Sequence, residues 1–114
     1  MFGIIESLQK SNIVKNFDVV EWIDESTVTL IKLMVNIIDE TVLYITELET
    51  DAHQKYSYHW QRTDGEMIIR WDNSPHHKNL KTFPHHKHEK SMVLSSHRIT
   101  IEEVLEKIRE RIYG

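Results

Sequence analysis

The chain has 114 residues, 39% hydrophobic and 28% charged, which is enough for one packed domain, too little for two good cores, and unlike a disordered chain. It has no cysteine, which excludes disulfides and thiolate zinc sites. Its net charge of −4 is uneven: residues 1–54 carry three lysines against ten acids, whereas residues 76–90 carry four lysines against one acid and hold five of the eight histidines.

The N-terminal MFGIIESLQK lacks a basic leader region and a long apolar run, so no signal peptide is expected. No stretch approaches the roughly 18 apolar residues of a membrane span. With the missing cysteines, these features are those of a cytoplasmic chain with no membrane partner. GIIESLQKSNI reads as a short helix, with Ile4, Ile5 and Leu8 on one side and Ser11-Asn12 near its end. FDVVEWI (17–23) reads as a strand, and VTLIKLMVNII (28–38) as a long one rich in β-branched residues. In the latter, Thr29, Ile31, Leu33, Val35 and Ile37 make one face, while Lys32 and Asn36 leave the other only partly covered. Asp39-Glu40 breaks the run, and TVLYITEL (41–48) follows as its hairpin partner.

YSYHWQ and EMIIRW flank Arg62-Thr63-Asp64-Gly65, a strong hairpin signal. A two-residue loop at Thr63-Asp64 puts Tyr56, Tyr58 and Trp60 on one face with Met67, Ile69 and Trp71. The other face then carries Ser57, His59, Gln61, Arg70 and Asp72. A three-residue loop with a Gly65 bulge is equally standard and would move Arg70 and Asp72 to the tyrosine side. The first register segregates apolar from polar residues and is preferred. A loop holding both histidine clusters comes next, then SMVLSS as a final strand. The chain ends in a helix with a capping box, Thr100 and Glu103, and an apolar stripe of Ile101, Val104, Leu105, Ile108 and Ile112. The expected fold is α+β: one domain over residues 1–114, a largely antiparallel sheet of about six strands with an N-terminal and a C-terminal helix.

Chemistry concentrates between residues 56 and 88. TFPHHKH (82–88) is no affinity tag, since it lies inside the chain, is interrupted by lysine and has a second cluster, SPHH (74–77), upstream. Three readings compete. In the first, His86 and His88, on one side of an extended segment and joined by His76 or Asp72, bind a divalent metal, as in a metal-dependent nuclease or other metalloenzyme. In the second there is no cofactor, and the protein cleaves RNA, whose 2′-OH is its own nucleophile. Histidines are then base and acid, and Arg70 and Lys87 steady the phosphate. Tyr56, Tyr58, Trp60 and Trp71 offer rings for base stacking, with a packed core as the stronger reading for the tryptophans. In the third, the cationic loop is a non-catalytic binding module.

Residues 56–88 resemble the central motif of the TumE-like toxins of type II toxin–antitoxin pairs. That family shows a Y-x-Y-H-x-Q strand, a tight turn, R-[YFW]-D-N-x-P-H-H and T-F-P-H-H-K-H. This chain supplies Tyr56, Tyr58, His59 and Gln61; Arg70, Trp71, Asp72, Asn73, Pro75, His76 and His77; and Thr82 through His88. It departs at Asp39-Glu40-Thr41, where members often carry Asp-Gly-Ser, a structural difference. The resemblance implies a growth-inhibiting toxin and a cognate antitoxin, often a small DNA-binding protein. A ribonuclease activity follows from the chemistry above and by analogy with other small toxins.

The expected catalytic set is His59, Arg70, Asp72, His86 and His88, with His86 or His88 as base or acid, His59 as the other, and Asp72 orienting one imidazole. Tyr56, Tyr58, Gln61, Lys81 and Lys87 are expected to bind substrate, and His86→Ala to abolish toxicity without unfolding. The acidic first half and the half-covered face of 28–38 leave room for a homodimer or for the antitoxin.

Overall fold

Alternation along the chain builds a sheet with one oily face and one polar face. The computed structural model describes residues 2–114. The elements run α1 (Phe2–Lys10), β1 (Val14–Asp24), β2 (Val28–Ile37), β3 (Val42–Thr50), β4 (Gln54–Gln61), β5 (Met67–Asp72), β6 (His86–Glu89), β7 (Met92–Ser95) and α2 (Ile101–Tyr113). The strands form one antiparallel sheet in chain order, so each pairs with its neighbours in sequence. The fold is α+β as expected, with seven strands rather than six among the described residues.

Ile31, Leu33, Val35 and Ile37 are buried on one face of β2, with Leu43, Ile45, Tyr58, Trp60, Ile69 and Trp71 beside them. Both helices cover that face. Ile4 and Leu8 lie one turn apart on α1, and Ile101, Val104, Leu105 and Ile108 form the stripe of α2. Each such aliphatic side chain contributes roughly 1.5–3 kcal/mol by leaving water. The α2 capping box is formed: the Thr100 hydroxyl accepts from the Glu103 amide at 3.2 Å, and the Glu103 carboxylate accepts from the Thr100 amide at 3.3 Å. The opposite face of the sheet carries no helix among the described residues. It is left to polar side chains and to the connection between β5 and β6.

The β4–β5 hairpin corrects the expected turn and keeps the expected faces. Arg62 donates to the Glu66 carbonyl at 2.8 Å across Thr63-Asp64-Gly65, so the loop has three residues. Gly65 has φ +91°, which glycine adopts without a Cβ penalty. That loop alone would have inverted Arg70 and Asp72. A second irregularity follows, because Gln61 pairs with Met67 while Trp60 pairs with Ile69. The extra residue, Ile68, restores the alternation, and burial of Ile69 and Trp71 beside Tyr58 and Trp60 favours it.

The additional strand is β6, in the segment expected to be a loop. His86, Lys87, His88 and Glu89 pair with Asp72, Trp71, Arg70 and Ile69. Lys90 and Ser91, with φ of 51° and 64°, then form a tight two-residue turn into β7.

Candidate active site

On the open face, strand register assembles the site. Because β4, β5 and β6 are adjacent, His59 lies opposite Arg70 and Arg70 opposite His88. One step along, Ser57 lies opposite Asp72 and Asp72 opposite His86. Strand spacing places the backbones of His59 and His88 about 10 Å apart, with Arg70 between them.

Asp72 is the anchor. Its Oδ1 accepts from the Ser74 amide at 2.9 Å and meets His86 Nε2 at 3.0 Å. Its Oδ2 accepts from Arg70 Nε at 3.1 Å and lies 3.6 Å from His88 Nε2. Burial alone would raise this carboxyl, but the Ser74 amide, His86 and Arg70 outweigh burial and hold it below the usual carboxylate range. His86 is only 2% exposed, and its Nδ1 faces the Pro84 carbonyl at 2.9 Å. Both its ring nitrogens thus face acceptors. His86 braces Asp72 from inside the sheet and is shut off from solvent. Removing it takes one partner from a buried carboxylate, leaving the Ser74 amide and Arg70, so His86→Ala bears on the fold as well as on the site.

The accessible groups are Arg70, His59 and His88, with the Arg70 side chain 39% and that of His88 29% exposed. Arg70 Nη1 donates to His59 Nδ1 at 3.3 Å, and His59 Nε2 donates to Gln61 Oε1 at 3.1 Å. This fixes a neutral tautomer, since an arginine can only donate. Desolvation and the Arg70 charge lower the His59 pKa against the Gln61 hydrogen bond. Desolvation, with neighbouring His86, His77 and Arg70, also lowers that of His88 against the pull of Asp72. Beside Arg70 lies a cleft of about 380 Å³, lined by Leu30, Lys32, Thr46, Leu48 and Ser57 among others.

His59, Gln61, Arg70, Asp72, His86 and His88 come together. Tyr56, Tyr58 and Lys87 do not join them. Both tyrosine rings are buried on the helix-covered face. Tyr56 O–H donates to His85 Nδ1 at 3.0 Å, and Tyr58 donates to Glu47. Burial raises both phenols, so they remain hydrogen-bond donors. Lys87 alternates to the far side of β6 and pairs with Glu89 at 3.6 Å. Lys81 is exposed in the β5–β6 connection. Of the metal candidates, His76 is exposed and outside the cluster. Its neighbour His77 packs edge-on against His86 and His88, with ring centroids 4.8 and 5.8 Å away. Ligand atoms of His77, His86 and His88 all lie within 4.8 Å of one another.

Sequence reasoning did not single out Lys32, Ser57 or His77 as site residues. The half-covered face of 28–38 carried the signal for Lys32. Nothing local distinguishes His77 from His76.

Neither curated proteins nor solved structures gave a match to this chain. A family model described as Toxin TumE matches residues 4–112. The match takes in the whole sheet, most of both helices and the histidine motifs, and the chain belongs to the TumE toxin family.

Proposed function

We propose that this toxin is a metal-independent endoribonuclease using histidine acid–base catalysis. The observation that carries the reading is the row His59–Arg70–His88, two imidazoles flanking a guanidinium on an open sheet face. A phosphodiester seated on Arg70 has a proton acceptor on one side and a donor on the other, as in-line attack by the 2′-OH requires. In the free protein, Arg70 occupies the His59 Nδ1 lone pair. A phosphate that draws Arg70 away frees that nitrogen to take the 2′-OH proton. The phosphate's negative charge favours the protonated form of His88, which gives its proton to the departing 5′-oxygen. The products are a 2′,3′-cyclic phosphate and a 5′-OH. Asp72 and His86 position Arg70 and His88. The adjoining cleft, with Lys32 at its wall and Leu30 and Leu48 within it, receives the flanking nucleotide.

Family membership implies a cognate antitoxin. We place it over this histidine face, where an acidic segment would stand in for RNA. The reading is tested by single substitutions assayed on RNA. His59→Ala and His88→Ala should each lower cleavage about 10²- to 10⁴-fold. Lys87→Ala, on the far face, should change it little. Equal loss from all three, or none from His59→Ala, would reject the assignment.

A further inference from the structure

We infer that His77, His86 and His88, with Asp72, form a binding site for one first-row divalent ion of the zinc and cobalt class. The argument is geometric and independent of the nuclease reading. Three imidazoles already hold a ligand atom each within 4.8 Å of the others. Tetrahedral coordination at about 2.0–2.1 Å brings ligands to roughly 3.4 Å apart, so contraction by about 1 Å or more closes the site. The two partly exposed rings, His77 and His88, can make that movement while buried His86 stays fixed.

The surroundings are those of a ligand set. His86 Nδ1 is committed to the Pro84 carbonyl at 2.9 Å, which leaves Nε2 as the ligand atom. Histidines that bind metals commonly donate their other N–H to a backbone carbonyl or carboxylate in this way. Asp72 Oδ1 lies 3.0 Å from that Nε2 and can supply a fourth position. The Arg70 charge nearby opposes a cation. Its contact, however, is with the other carboxylate oxygen, Oδ2, at 3.1 Å, while Oδ1 is shared with the Ser74 amide at 2.9 Å and faces His86. Three imidazoles and one carboxylate suit zinc, cobalt or nickel, whereas magnesium and calcium prefer all-oxygen shells.

The test is a titration of untagged protein with Co²⁺, read by the visible absorption of the four-coordinate ion. Wild-type protein should show a saturable spectrum, bleached by Zn²⁺ and not by Mg²⁺. His77 lies in the connection outside the strands, so His77→Ala should fold, as circular dichroism will show, yet bind at least about tenfold more weakly. His76→Ala, one residue away and exposed, should titrate like wild type. An absent wild-type spectrum, or one unchanged in His77→Ala, would overturn the site.

Discussion

At the scale of the residue, Asp72 holds the site together. It is buried, yet its oxygens meet one amide, one guanidinium and two imidazoles. Asp72→Ala leaves His86 without its partner in the sheet and should destabilise the fold by about 3 kcal/mol, measured by urea unfolding. Because the folded carboxyl titrates below its ordinary 3.8, its contribution to stability is present above that value and is lost as pH falls through the folded one. The His59 pKa is lowered as well. The ring must be unprotonated to act as a base, and its lowered pKa keeps it so below the ordinary 6.5. The acid limb of the kcat/KM profile for RNA should therefore lie below 6.5. Arg70→Gln, which removes one cause of the shift, should move that limb upward while lowering the rate.

At the scale of the element, most of the sheet was legible and its chemically important strand was not. Ile31, Leu33, Val35 and Ile37 state their face by strict alternation, and Thr100 with Glu103 announces α2. The segment HKHE has no such apolar period and contains residues that strands avoid. Its turn, Lys90-Ser91, lacks the Asn-Gly chemistry that normally marks positive φ at both central positions. Tertiary pairing with Asp72 through Ile69 supplies what local sequence does not. The candidate site was accordingly half readable. His59, Arg70, Asp72 and His88 were named from composition and spacing. That His86 is buried, that Lys87 lies on the far face, and that His77 rather than His76 folds inward depend on register and on the course of a loop. Replacing Lys90-Ser91 with Asn-Gly should relieve two left-handed residues and raise stability by about 1 kcal/mol, seen as a higher urea midpoint at unchanged m-value.

At the scale of the whole molecule, the two sheet faces divide the labour. Helices α1 and α2 seal one face. The other carries the His59–Arg70–His88 row, the cleft and the three-histidine cluster, so on the proposals above one surface would serve RNA, antitoxin and metal alike. On these proposals metal and catalysis would compete, because an ion on the His88 nitrogen excludes the proton that the acid must carry. Protein loaded with Zn²⁺ should cleave RNA at least about tenfold more slowly than the same protein in chelator, and His77→Ala should escape that inhibition. The most direct measurement is incubation of untagged protein in EDTA with an RNA and with the same RNA carrying a 2′-deoxy residue at the cut site. Acid–base catalysis by His59 and His88 predicts cleavage of the first to a 2′,3′-cyclic phosphate and no cleavage of the second. Loss of cleavage in EDTA with recovery on adding a divalent ion, or cutting at the deoxy position, would contradict it.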